Sequence, residues 1–130
     1  MVDLGTLGGL SSEAFAVNPS GQVVGISYRA DGPAHAFSWT RTGGMVDLGA
    51  LGGGSSEAHT VSASGQVVGY GLTVDDRAHA FSWTREDGMV ELRTLGGGDS
   101  LARAVNPRGQ VVGYGTTSRG EVHAVLWERH

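Results

Sequence analysis

Trp39, Trp83 and Trp127 stand 44 residues apart, and so do His35, His79 and His123. The Gly-Gln-Val-Val-Gly blocks at 21–25, 65–69 and 109–113 keep the same interval. Met1, Met45 and Met89 open matching Met-Val-Asp/Glu-Leu segments, each followed at one offset by Leu-Gly-Gly at 7–9, 51–53 and 95–97. No insertion or deletion breaks the register. Self-similarity of this kind decides the architecture, because whatever sheet one copy forms the others must form too. Loops ordinarily drift in length faster than strands, so an unbroken register across every loop points to recent duplication or design. The 130 residues make one repeat domain, with units at roughly 1–44, 45–88 and 89–130.

Each unit reads as four short strands. In the first copy they are Ala14 to Asn18, Gln22 to Tyr28, Ala34 to Thr40 and Met45 to Leu48. Asn18-Pro19-Ser20-Gly21 supplies a turn, with proline presetting φ and glycine taking a conformation other residues resist. Val23, Val24 and Ile26 favour a strand. Along the third strand alternation puts His35, Phe37 and Trp39 on one face and Ala36 and Ser38 on the other. The glycine-rich Leu51-Gly52-Gly53-Gly54 stretch crosses to the next unit. The 23 glycines suit short strands and tight turns, and they interrupt every window that would otherwise keep helical spacing.

Two closed all-β architectures fit. The chain starts on a fourth-type strand and stops after a third-type one, at Glu128-Arg129-His130. Met1 to Leu4 is therefore spare, and it is expected to complete the last unit's sheet, since sheets avoid open edges. Four strands in 44 residues match a β-propeller blade, but propellers typically have 4 to 8 blades. Two chains would give a six-bladed ring, each closing the other with its leading strand, which makes a homodimer the expected assembly. The alternative is a β-trefoil or a compact three-unit ring in a monomer.

The run Ala-Val-Asn-Pro-Ser-Gly-Gln-Val-Val-Gly, then His-Ala-Phe-Ser-Trp, then Met-Val-Asp-Leu-Gly, resembles the bacterial HAF-repeat family. Its His-Ala-Phe element falls at His35-Ala36-Phe37 and His79-Ala80-Phe81, and the third copy departs to His123-Ala124-Val125. The resemblance spans essentially the whole chain. It implies a propeller-like fold and an extracellular setting, and it assigns no activity.

Composition excludes several classes. Nine basic residues against thirteen acidic ones give a net charge of −4 and no basic stripe, which argues against nucleic acid. With no cysteine there is no disulfide, thiol catalysis or thiolate zinc site. No stretch approaches the roughly 20 apolar residues of a membrane span. Met1-Val2-Asp3-Leu4-Gly5 has neither the charged leader nor the apolar segment of an export signal, so a cytoplasmic location is expected from the residues themselves.

Candidate chemistry lies at a few positions. His35, His79 and His123 would bind zinc only if they met at an axis. Otherwise each holds its own unit through a backbone carbonyl or carboxylate, and no metal or cofactor is expected. The three tryptophans read as core anchors, with sugar stacking as the alternative. Arg41, Arg85 and Arg129 are expected to be solvated or paired with Asp47, Glu91 and Asp3, exposed pairs that contribute little. Slots that differ between copies are the more informative ones. Phe15, His59 and Arg103 share one slot with three chemistries, beside Glu13, Glu57 and Leu101. A second slot holds Ile26, Tyr70 and Tyr114, and the two tyrosines either line a pocket or fill a gap. Phe15, His59, Arg103, Tyr70 and Tyr114 are thus the candidate ligand-binding residues. The leading expectation is a non-catalytic binding or scaffold module for a small ligand or sugar. The alternative is a small isomerase, cyclase or hydrolase in which Glu57 and His59 form an acid–base pair and Arg103 clamps an anion.

Overall fold

A computed structural model describes residues 1–128 of the chain. Among them are eleven strands and no helix, so no helix is long and apolar enough to cross a membrane. The strands form three antiparallel sheets in chain order. The first joins β1 (Gly8–Val17), β2 (Val23–Arg29), β3 (Gly32–Thr40) and β4 (Gly44–Asp47). The second joins β5 (Ser56–Val61), β6 (Val67–Leu72), β7 (Ala78–Thr84) and β8 (Gly88–Glu91). The third joins β9 (Gly96–Val105), β10 (Val111–Thr117) and β11 (Val122–Trp127). Each sheet is a meander, every strand paired with its successor. The first turn of a unit is held from within. Asn18 Oδ1 accepts the Ser20 and Gln22 amides at 3.2 and 2.9 Å, and Asn106 does the same for Arg108 and Gln110.

The first strand of every sheet carries a β-bulge at the same place. In β1, Ala14 pairs with Gly25 and Ala16 with Val24, leaving Phe15 as the extra residue. His59 is the extra residue in β5, between Ala58 and Thr60. Arg103 is the extra one in β9, between Ala102 and Ala104. The bulge explains the last glycine of each Gly-Gln-Val-Val-Gly block. A Cβ on Gly25, Gly69 or Gly113 would lie 2.0, 2.0 or 1.8 Å from the carbonyl oxygen of Glu13, Glu57 or Leu101. No side chain fits there, so the bulged strand can approach its neighbour only over glycine.

Successive sheets pack face to face. Val24, Ala36 and Leu48 of the first sheet and its edge meet Ala58, Val67 and Phe81 of the second. Val68, Ala80 and Leu92 meet Ala102, Val111 and Trp127 at the next junction. A buried Phe or Val contributes about 1.5–3 kcal/mol through apolar burial. Each junction also has a polar tie. Ser56 Oγ accepts the Ala36 amide at 2.9 Å and donates to the Gly49 carbonyl. Ser100 Oγ accepts the Ala80 amide at 2.8 Å. Both serines are fully buried, so these bonds form in a medium where an unmade one is costly.

Several expectations change here. The sheets do not close into a barrel, which removes the trefoil. Met1–Leu4 belongs to no strand, and the third sheet stops at three strands. Within one chain the leading segment therefore does not seal the trailing sheet, and no three-unit ring forms. Ala36 against Ala58 and Ala80 against Ala102 hold the sheets close, and three closely stacked sheets do not turn through a full circle. β1 and β9 begin at Gly8 and Gly96, well before the Ala14 expected as the start, because the glycine stretch itself pairs with the end of the second strand. All three tryptophans are half-buried, Trp83 and Trp127 packing against the two junction cores, while Phe37 and Phe81 are the fully buried rings.

Candidate ligand-binding site

A bulge turns its extra residue out of the ladder and re-aims its side chain. Here that brings four residues from two sheets into contact. The Phe15 and His59 rings lie 5.6 Å apart across the first junction, tilted by 34°. His59 and Tyr70 follow at 5.5 Å. Glu57 sits opposite Tyr70 in the β5–β6 ladder and joins the group from below. Its Oε1 lies 3.1 Å from His59 Nε2, and its Oε2 accepts the Tyr70 hydroxyl at 3.0 Å. Burial, then the Glu57 hydrogen bond and charge, push the Tyr70 phenol up to about 12, and Tyr114 adds to the effect. In the third sheet the Arg103 guanidinium stacks 5.7 Å from the Tyr114 ring centre, within cation–π range. Phe15 is 43% exposed, and His59, Tyr70 and Tyr114 are half-buried. The row is thus ordered by contacts yet open to solvent.

The structure brings together Phe15, Glu57, His59 and Tyr70, and separately Arg103 and Tyr114. The Glu57–His59 pair forms at the bulge. Arg103 is set against Tyr114 of its own sheet, where the enzyme alternative needed it as a clamp beside His59. Tyr70 and Tyr114 of the second varied slot serve as ring partners of His59 and Arg103, and the Tyr70 hydroxyl bonds Glu57.

The three repeat-defining histidines stand in three separate sheets. His35 Nδ1 meets Asp47 Oδ1 at 2.8 Å, and its Nε2 meets Arg29 Nη1 at 2.9 Å. Since the guanidinium only donates, Nε2 accepts and Nδ1–H donates to Asp47. His79 bonds Glu91 through Nδ1 and the Gly98 carbonyl through Nε2 at 2.9 Å, which ties the second sheet to β9. His123 is 56% exposed, and its nearest carboxylate is Glu121 at 3.6 Å. Among the described residues no three His, Asp or Glu side chains are placed to hold a metal ion. Arg41 stacks 5.9 Å over Trp39, and the carboxylates expected for Arg41 and Arg85 serve the histidines instead. Arg129, for which Asp3 is the expected partner, lies outside the described residues.

Two equivalent clefts open between the sheets. One of about 400 Å³ has Gln22, Ser38 and Thr40 on one wall and Gly65 and Trp83 on the other. The second, about 130 Å³, has Gln66, Ser82 and Thr84 facing Gly109 and Trp127. Their polar walls are internally bonded, Gln22 Nε2 donating to Ser38 Oγ at 3.0 Å and Gln66 Nε2 to Ser82 Oγ at 2.8 Å. The junction serines escaped the sequence reading, although Ser12, Ser56 and Ser100 recur at the repeat interval.

No protein-family profile, curated protein or solved structure matches the chain.

Proposed function

We propose that the three sheets are successive blades of a HAF-type β-propeller, and that the chain is a non-catalytic binding module. Its ligand lies along the row Phe15, His59, Tyr70, Arg103 and Tyr114. The carrying observation is that the slot the bulge turns outward is one at which all three units differ, as Phe, His and Arg. A rigid, repeated scaffold that carries different chemistry at its projecting positions suits a recognition surface. The chemistry suits an oligosaccharide that carries carboxylates. Aromatic faces cover the apolar faces of sugar rings, Glu57 accepts hydroxyl protons, and Arg103 pairs with a carboxylate. Both Glu57 oxygens are already engaged, by His59 and Tyr70, which suits a fixed acceptor better than a base that must carry a proton away.

Titration calorimetry with hexamers of galacturonic acid and of glucose tests this. The uronate is expected to bind, with affinity lowered about tenfold or more by Arg103→Ala and by His59→Ala while the fold is kept. No binding of either hexamer, or binding untouched by both substitutions, would overturn it. Turnover of the bound hexamer that His59→Ala abolishes would establish the enzyme alternative.

A further inference from the structure

The two internal junctions are built from one set of contacts, and the chain displays an unused half of that set at each end. In the first junction the Ala36 amide donates to Ser56 Oγ, and in the second the Ala80 amide donates to Ser100 Oγ. The next members of the series are Ala124, exposed on β11, and Ser12, exposed on β1. The Leu48 amide reaches the Ala36 carbonyl at 3.0 Å and the Leu92 amide reaches Ala80 at 2.9 Å. The corresponding pair is Leu4 and Ala124. Asp47 and Glu91 take His35 and His79, and the corresponding pair is Asp3 and His123. Asp3 already caps the Gly5 amide at 2.9 Å, as Asp47 caps Gly49 at 2.8 Å. Its turn is formed, and the histidine is what it lacks.

The open apolar faces match in the same way. Val112 and Leu126 of the third sheet are 44% and 53% exposed, where their counterparts Val24, Val68 and Ser38 are buried at or near a junction. On the opposite end Ala14 is exposed, where Ala58 and Ala102 are fully buried. The substitutions that set this open face apart from the internal ones include two that favour contact. Leu126 replaces Ser38 and Ser82, adding apolar surface. Glu128 replaces Thr40 and Thr84. Since Thr40 shares its cleft with Arg85, Glu128 would meet Arg41, an acid against a base.

We propose that a second copy of this chain docks on the exposed face of β10 and β11, and that its Met1–Leu4 adds to β11 as the fourth strand. Reciprocal docking closes a ring of six sheets, the one multiple of three within the usual range of 4 to 8 blades. The second copy also completes the ligand row. Phe15 touches the next bulge residue, His59, across the first junction, and Phe15 of the other copy would extend the row beside Arg103 and Tyr114 at the intermolecular one. The junction rests on the propeller reading proposed above. Sugar binding by a protein that stays monomeric would remove the junction and leave the binding site standing.

Light scattering on the full chain at about 10–100 μM is the test. The expected mass is twice the 13.4 kDa of one chain. Leu126→Arg, on an exposed position, is expected to give a folded monomer. Register is tested by V2C/L126C in this cysteine-free chain, because Val46 pairs with Ser38 and the matching pair across copies is Val2 with Leu126. Directly opposed strand positions lie within disulfide reach, so mild oxidation is expected to give a covalent dimer. A single-chain mass throughout, open-ended polymers, a dimer unmoved by Leu126→Arg, or a link formed only within one chain would each overturn the proposal.

Discussion

Gly69→Ala isolates the bulge on which the candidate site depends. The added Cβ would lie 2.0 Å from the Glu57 carbonyl oxygen and 3.0 Å from Ala58 Cα. The first distance is more than an ångström short of an ordinary contact, and both obstacles are backbone, so no rotamer change relieves them. The β5–β6 pair must separate or the bulge must flatten. Overpacking of this kind costs about 1–3 kcal/mol, and a buried ladder hydrogen bond lost with it adds about 1 kcal/mol. The sum, about 3 kcal/mol, is a large share of the 5–15 kcal/mol typical of a domain. Gly120→Ala is the matched control. Gly120 has φ +86° with nothing within 4 Å of the added carbon, so only backbone strain of about 1–2 kcal/mol applies. Urea denaturation followed by tryptophan fluorescence gives both values. If Gly69→Ala costs no more than Gly120→Ala, the glycine is not what holds the bulge, and the placement of His59 needs another explanation.

Ser56→Ala leaves the buried Ala36 amide without its acceptor and is expected to cost about 1–3 kcal/mol. Ser11→Ala, on an exposed site, should change stability little, and faster hydrogen exchange at the Ala36 amide locates the loss. Tyr70 should ionise near pH 12, where a free phenol ionises near 10, and the 295 nm absorbance step should vanish in Tyr70→Phe. Because the folded protein holds this proton more tightly than the unfolded chain does, the stabilisation from Tyr70 is complete below about pH 10. It is lost as the pH rises towards about 12. The stability gap between the parent and Tyr70→Phe should therefore narrow from pH 9 to pH 11.5, and a constant gap would refute the assignment.

The repeat interval was enough to read off three all-β units of four-strand type, because identity at Trp, His and Gly positions 44 residues apart needs no partner to be seen. The Glu57–His59 spacing drew attention to the pair, but its contact forms at a bulge, where simple alternation does not apply. The bulge was not legible, because it is a property of two strands in register and leaves no mark in one strand's alternation. For the same reason Phe15, His59 and Arg103 could be recognised as a variable slot but not as the residues expelled from the ladder. Pairing of Arg41 and Arg85 with Asp47 and Glu91 is one of two outcomes the sequence leaves open, solvation being the other. In the sheet, β4 and β8 run antiparallel to β3 and β7, which carries Asp47 and Glu91 away from those arginines and up to His35 and His79.

What a repeat keeps and what it releases follow from the same geometry. At the bulge the constraint falls on Gly25, Gly69 and Gly113, where a Cβ would strike backbone. The extra residue itself points away and tolerates Phe, His or Arg, so its chemistry varies at little cost to the fold. The junction positions behave in the opposite way. Ser12, Ser56 and Ser100 are all serine, and Ala36, Ala80 and Ala124 are all alanine. For the inner members the reason is visible, because a larger group at Ala36 or Ala80 would wedge the sheets apart, and a group other than serine would abandon a buried amide. Within one chain Ser12 and Ala124 are both exposed, although Ser12 Oγ already donates to the Gly5 carbonyl at 2.7 Å as Ser56 Oγ does to Gly49. The proposed junction, in which the first and third sheets meet across copies, would place the same physical demand on these ends as on the middle.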